Sequence, residues 1–427
     1  NNIMEVLRSE VLKIVKKKDP LYPVLDDLAY RAKNVYNSAL YLCRQLYENT
    51  GYTYNYYELY KLYNENCESY GLPAQSYRLI LRDVATVTSS FKKAEKEYYN
   101  NTSKFQGKPK FPKFKHKTDG RHVLKFTNQQ VRFKDGQLYF PEKVGISPLK
   151  TRLDLSIPEG FFSENEMNPI REVRIIPQLG SYKIELIYRK IVEQPNTDNF
   201  KTVAAIDLGI DNFATVVTYG VNHARPLIIT GKGIKSYNKN FNKRLAKAKA
   251  DAMRCNGQYT TKRIKQLYNK RDRVYKDFYH KASKEIIDYL KENEVHTLFI
   301  GYNKGWKNES QLSKQVNQTF VQIGHYDFVQ IITYKAEEAG ITVKMVSEEY
   351  TSGTSFLDRE ESTEENYNKN RRVHRGLFVS NTGIEINADV NAAYQILSKG
   401  SNYRWKFNTV NIGKESLIPT RIGIDTF

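Results

Sequence analysis

From about residue 198 the chain reads as three successive strands followed by helix, strand, helix, strand, helix, and few folds accommodate that order. The run "TVAAIDLGIDNFATVVTYG" is an apolar strand, a short turn and a second strand, and "RPLIITGKG" supplies the third. A strongly basic helical stretch over about 237–290 comes next. "HTLFIGY" is the fourth strand, "QTFVQIGHYDFVQIITYKAEEAG" a helix, "ITVKMVSEEY" the fifth strand, and "NADVNAAYQILSKG" a last helix N-capped near Asn387. This is the order of an RNase H-like fold, so an α/β domain is expected over 198–427.

The preceding residues follow other rhythms. Residues 1–20 alternate loosely, as a strand does. Leu25, Leu28, Ala29, Ala32, Val35, Tyr36, Ala39, Leu40, Cys43 and Leu46 recur at three- and four-residue steps, which predicts an amphipathic helix with Asp26 and Asp27 in its first turn. After a Tyr-rich stretch, a second long helix is expected from about Gln75 to Tyr98. Residues 101–118 carry Lys104, Lys108, Lys110, Lys113, Lys115 and Lys117 and no acid, while Pro109 and Pro112 forbid a regular helix. They read as an extended basic arm with Phe105, Phe111 and Phe114 interleaved. From Val123 to Tyr188 alternating runs surround an Asp135-Gly136 turn and Gly180, the pattern of a small β barrel or sheet that the N-terminal strand could complete. The expected layout is a strand (1–20), a helical lobe with the basic arm (21–118), a β domain (119–197) and the α/β domain (198–427).

Charge points to the partner. The 427 residues include 67 Lys+Arg against 47 Asp+Glu, a formal net charge of +20. Between Gly231 and Lys276 fifteen Lys/Arg face only Asp251 and Asp272. Such an excess calls for a polyanion, and basic residues interleaved with aromatics suit nucleic acid better than an anionic membrane surface. No apolar run approaches the ~20 residues needed to span a bilayer, and the first residues lack a secretory signal, so a soluble, cytoplasmic protein without membrane contact is expected. The three cysteines, Cys43, Cys67 and Cys255, cannot form a thiolate zinc site. There is no GxxxxGK[ST], no GxGxxG after a strand and no HExxH, and His280 on the basic stretch reads as a core or phosphate-contacting residue rather than a base.

Cleaving phosphodiesters without a nucleophilic side chain needs a metal-activated water, and hard cations favour carboxylates converging from separate elements. Asp207 closes the apolar run in "AAIDLGIDN", where a charge is costly to bury unless something binds it. Asp389, in the first turn of the last helix, is the second candidate, with a simple capping role as its rival.

"IDLGIDNFATVV", "GKGIKSYNKNFNKRLAKAKA", "RDRVYKDFYHKASKEIIDYL", "YTSGTSFLD" and "INADVNAAYQIL", in that order, resemble the RuvC-type nuclease domain of the insertion-sequence-encoded TnpB proteins. Upstream, "LPAQSYRLILRDV" and "FQGKPKFPKFK" resemble the same family's N-terminal half, and compact type V CRISPR effectors are similar too. The resemblance implies an RNA-guided DNA endonuclease that uses Mg²⁺, or Mn²⁺, and takes a guide RNA and a double-stranded DNA target bearing a short flanking motif. It implies a RuvC domain behind an N-terminal wedge domain of β structure into which a helical recognition bundle is inserted. Lys108, Lys110, Lys113 and Lys115 would then contact nucleic-acid backbone. Gln75, Tyr77 and Arg78 would read the flanking motif. The basic helical stretch, with Lys243, Arg244, Arg271 and Lys281, would line the heteroduplex channel.

Two departures bear on the site. The family usually places a third carboxylate, a Glu, at the end of the fourth strand, where this chain has Gly301. The fifth strand of such a sheet lies beside the fourth, and "VKMVSEEYTS" ends it with Glu348 and Glu349. A carboxylate from there could reach the same ions across one ~4.8 Å strand spacing. Only one of two successive residues can face inward; Glu348 is the expected ligand, Glu349 the alternate, and Glu309 a weaker candidate. The second departure is the zinc ribbon of many relatives: residues 350–388 contain no cysteine, and His374 alone cannot replace four ligands, so no zinc is expected there. Asp211, four residues past Asp207, reads as a structural or supporting carboxylate. Two rival readings remain: a nuclease-dead RNA-guided DNA-binding protein, motivated by Gly301, and a DNA-binding protein that needs no guide.

Overall fold

The computed structural model describes residues 2–105, 107–151, 169–194, 201–220, 224–257, 260–302, 324–374, 376–402 and 417–425. The chain divides into two compact units, Glu5–Ile191 and Val192–Phe427 with Asn1–Met4.

In the first unit, strand β1 (Asn2–Lys16) leads to helices α1 (Tyr22–Thr50), α2 (Tyr56–Asn66) and α3 (Ala74–Asn100). Helix α1 starts ahead of its apolar pattern because Pro23 suits a first helical turn. Asp26 therefore lies beyond that turn, and instead of facing the helix dipole it accepts hydrogen bonds from Arg121 (2.8 and 3.0 Å) and the Tyr182 hydroxyl (2.6 Å). The Tyr-rich stretch contains α2, capped reciprocally by Asn55 and Glu58. Strands β2 (Leu124–Thr127), β3 (Arg132–Lys134), β4 (Gln137–Tyr139), β5 (Leu149–Lys150), β6 (Ile170–Gln178) and β7 (Ser181–Gln194) form a four-stranded sheet ordered β1-β7-β6-β2 and a three-stranded sheet β3-β4-β5. Asp135 and Gly136, with φ of 52° and 70°, make the β3–β4 turn. One apolar core joins the helices to the sheet through residues such as Leu28, Leu40, Cys43, Ile80, Phe126 and Ile184.

In the second unit the expected order is present. Strands β8 (Thr202–Leu208), β9 (Asn212–Tyr219) and β10 (Leu227–Thr230) precede helices α4 (Lys232–Asn256) and α5 (Lys262–Glu292). Then come β11 (Val295–Tyr302), α6 (His325–Glu338), β12 (Thr342–Ser347), a small hairpin β13 (Leu377–Val379) and β14 (Glu385–Asn387), and α7 (Ala388–Gly400). A short C-terminal strand, β15 (Thr420–Ile422), is too brief to announce itself by periodicity. The sheet runs β12-β11-β8-β9-β10-β15, with β11 parallel to β8 and β12, and β9 antiparallel to β8 and β10. The central strands read as continuous apolar runs because both faces are covered. Ile206, Leu298 and Ile300 pack with α5 and α6, while Val203, Ala205, Val217 and Phe299 pack with α7. No helix among the described residues is long and apolar enough to cross a membrane.

Candidate metal centre

Strand register assembles the carboxylates. Ile206 of β8 pairs with Ile300 of β11, so the next residues, Asp207 and Gly301, end neighbouring strands on one face; Gly301 in turn pairs with Val346 of β12. Glu348 directly follows β12, two residues past Val346, and is half-buried while Glu349 is exposed. A Cβ built on Gly301 would lie 2.8 Å from Glu348 Oε1 and 2.6 Å from Ile396 Cδ1 of α7. The space that a side chain at 301 would need is filled by the Glu348 carboxylate.

Asp389 comes to the same face on α7. Its capping role belongs to Asn387, whose Oδ1 accepts from the backbone N–H groups of Asp389 and Val390 at 3.1 Å. The Asp389 carboxylate is thereby left for side chains: Arg372 Nη2 donates to Oδ1 at 3.1 Å and Asn212 Nδ2 to Oδ2 at 2.5 Å. Burial, then Glu348, then Asp389 push the Asp207 carboxyl well above the usual carboxylate range, and Arg372 opposes them. The Asp207 carboxyl thus feels the carboxylates of Glu348 and Asp389.

The turn after Asp207 is tightly built. A Cβ on Gly209 would meet the Asn212 carbonyl oxygen at 2.6 Å, so only glycine fits. The Gly209 carbonyl accepts a 2.8 Å hydrogen bond from Nε2–H of His325, a buried ring stacked on Phe213 at 5.4 Å. Burial pushes the His325 pKa down to about 4, with the Gly209 contact opposing, so the ring is neutral. Asp211 pairs with Lys235 at 2.5 Å, a structural role.

The donor set is all oxygen, which suits a hard divalent cation. Thr215, paired with Asp207 across β8 and β9, keeps a buried hydroxyl with no hydrogen-bond partner among the described residues, and a hydrated ion could satisfy it. As they stand, no three Asp, Glu, His or Cys side chains among the described residues converge closely enough to hold an ion. Both oxygens of Asp389 are engaged, one by the Arg372 cation.

The segment that takes the zinc ribbon's place is held by polar contacts. Glu360 accepts from Arg371 (2.5 Å), Asn381 (3.2 Å) and the Ser355 backbone N–H (2.8 Å). Buried Asn391 of α7 bridges the Phe356 N–H and the Thr354 carbonyl, and Phe356 stacks on Tyr394 at 4.5 Å.

The other expected contact residues divide into two groups. Lys108, Lys110, Lys113 and Lys115 are exposed, as are Lys243 and Arg244. The basic arm is docked rather than loose: Phe111 stacks on Tyr47 at 5.1 Å, Lys33 donates to the Lys117 carbonyl at 2.6 Å, and Asn37 exchanges hydrogen bonds with the Lys115 backbone. Arg271 is instead packed over Tyr275 (4.4 Å) and Phe241 (5.2 Å), and Lys281 is tied to Asp277 and the Asp425 carbonyl. Gln75 bonds Gln129 and Thr127, Tyr77 donates to Asn64, and Arg78 donates to Tyr60, so all three brace α3 against its neighbours. His280 is exposed, not a core residue, and Glu309 lies outside the described residues. Arg372 and Asn212 are the site residues that sequence reasoning missed. A loop arginine in "NKNRRVHRG" carries no local sign of its partner, while Asn212 stood in view within the Asp207 motif.

Residues 183–307 match the family model described as a probable transposase, OrfB_IS605, and residues 325–396 match the Cas12f1-like TNB domain. Among curated proteins none matches. The solved Cas12f1–sgRNA–target DNA complex shares the fold at a TM-score of 0.53 and 17% identity, over 88% of this chain and 82% of that one. A CRISPR-Cas12f ternary complex aligns over 87% and 80% of the two chains with 16% identity and a TM-score of 0.35, too low to carry an argument. The two family models fall in order along the C-terminal part of the chain, which is thus similar there to the OrfB_IS605 proteins and to the Cas12f1-like TNB domain, on a fold that it shares with Cas12f1.

Proposed function

We propose that the protein is an RNA-guided DNA endonuclease in which Asp207, Glu348 and Asp389 hold the metal. The observation that supports this reading is the fit between Gly301 and Glu348: the Glu348 carboxylate, just past β12, lies in the space that a side chain at 301 would need. Mg²⁺, or Mn²⁺, when bound supplies the Lewis acidity that activates water and stabilises the leaving 3′ oxygen. Burial and the neighbouring carboxylates raise the Asp207 pKa, and a bound cation would favour its ionised form. Arg372 offsets part of the carboxylate charge in its place.

A guide RNA and a double-stranded DNA target with a flanking motif are the proposed partners. The net charge of +20, the exposed lysines of the arm and the basic helices α4 and α5 support this, as does the guide RNA and target DNA held by Cas12f1. In this reading the first unit supplies wedge and recognition surfaces, and the segment 350–388 folds without zinc.

A second reading, guided DNA binding without cutting, is favoured by the Arg372 guanidinium on Asp389. Cleavage of a plasmid carrying a guide-matched target beside a randomised flank, with protein purified on its own RNA, separates the two. Cutting that requires Mg²⁺, stops with EDTA and is lost in Asp207→Ala and Glu348→Ala supports the nuclease. Tight RNA-dependent binding with no cutting in any divalent metal overturns it.

A further inference from the structure

We propose that Asn212 is a positioning residue for Asp389, and that Arg421 of the C-terminal strand sets its orientation. Asn212 stands at the start of β9, five residues past Asp207. Its Nδ2 donates to Asp389 Oδ2 at 2.5 Å, and its Oδ1 accepts from Arg421 Nη1 at 2.8 Å. The order of these groups is over-determined. A guanidinium can only donate and a carboxylate can only accept, so the amide oxygen must face Arg421 and the amide nitrogen must face Asp389.

The relay spans three elements. Strand β15 is added to the sheet edge in parallel with β10, with Arg421 opposite Ile228, and the Thr420 N–H donates to the Pro226 carbonyl at 2.7 Å. Arg421 is thus level with Ile228 and, across β10, with Thr215 of β9, and from there its guanidinium reaches Asn212. The Asn212 backbone is held by the glycine turn, whose Gly209 N–H and carbonyl are bonded to the Phe213 carbonyl and to His325. Asn212 therefore presents a fixed donor to one oxygen of Asp389, and the other oxygen is held by Arg372, the partner that a cation would displace. Groups that orient metal-binding carboxylates in this way typically change metal affinity or activity by about 10- to 100-fold when removed.

This inference rests on the metal-binding reading of Asp207, Glu348 and Asp389, and the test separates the two. Mn²⁺ binding to the RNA-loaded protein is measured by calorimetry, beside guide-dependent target binding and thermal unfolding. For Asn212→Ala we expect Mn²⁺ affinity to fall by at least about tenfold, with target binding unchanged. Arg421→Ala should shift it in the same direction, and the double variant should be no worse than Asn212→Ala, because both act through one amide. Wild-type Mn²⁺ affinity in both single variants, or fully additive losses in the double, overturns the positioning role while leaving the metal site standing if Asp389→Ala abolishes binding. If the wild type binds no Mn²⁺, or Asp389→Ala binds it normally, both readings fall. Should Asn212→Ala unfold, Arg421→Ala alone decides, since its side chain lies on the exposed edge strand.

Discussion

The carboxylate of Glu348 lies where a side chain on Gly301 would have to go: 2.8 Å separates Glu348 Oε1 from the nearest position a Cβ could take. Gly301 lies in β11 and Glu348 directly follows the adjacent parallel strand β12, and the absence of a side chain on one makes room for the acid of the other. Gly301→Ala should push Glu348 and Ile396 aside while leaving the sheet intact. A shift of about 1 Å in a reacting group lowers rates on the order of 10²-fold, and we expect a loss of that size in plasmid cutting with target affinity preserved. Glu349→Ala, at an exposed position in the turn after β12, should cut like the wild type. Unimpaired cutting by Gly301→Ala would show that Glu348 does not act from this position.

His325 makes stability sensitive to acid. Its folded pKa, about 4, is depressed from the ordinary 6.5, so its contribution is fully present above pH 6.5 and is lost as the pH falls toward 4. The shift corresponds to about 3 kcal/mol over that interval. His325→Phe keeps a ring on Phe213 but neither titrates nor donates to the Gly209 carbonyl. Urea unfolding at pH 7 and pH 4.5 should show a smaller acid-induced loss for the variant than for the wild type; equal losses would mean that another group drives the acid limb.

The segment 350–388 should owe its order to Glu360 and Arg371. Both side chains are mostly buried, at 15% and 17% exposure, and breaking such a pair by removing one partner costs about 3 kcal/mol. Glu360→Gln should therefore lower the melting temperature and make the segment more susceptible to limited proteolysis. Prolonged dialysis against a zinc chelator should change neither property in the wild type. A melting temperature that falls on zinc removal would contradict metal-free folding.

Lys110 and Lys113 are exposed on a docked arm, so removing their charges should cost binding without costing fold. Each phosphate contact contributes a slope of about −0.9 to the dependence of log K on log salt for duplex DNA, less for single strands. The Lys110→Gln, Lys113→Gln double variant should show a slope shallower by about 1 to 2, measured by filter binding of target to the RNA-loaded protein. An unchanged slope would place the arm away from nucleic acid.

Elements defined by local pattern are legible in the amino-acid sequence by itself. The apolar run ending in Asp207 could only be a strand covered on both faces, and the three- and four-residue spacing from Leu25 to Leu46 could only be a helix. The order of elements in the second unit, and the fifth strand beside the fourth, were legible in the sequence, because crossover rules leave so few arrangements, whereas the edge strand β15 was not. Net charge and interleaved aromatics pointed to a polyanion, and strand alternation allowed one of Glu348 and Glu349 to face inward. What the sequence could not carry were relations between residues far apart in the chain. Arg372 reaches Asp389 from a loop without a periodic signal, and Arg421 meets Asn212 across 209 positions. Likewise, charge alone could not separate Lys110, open to solvent, from Arg271, spent on Tyr275 and Phe241. Periodicity records which face of an element is buried; only the packed structure decides which side chain from another element it meets there, since that depends on distances no local spacing encodes.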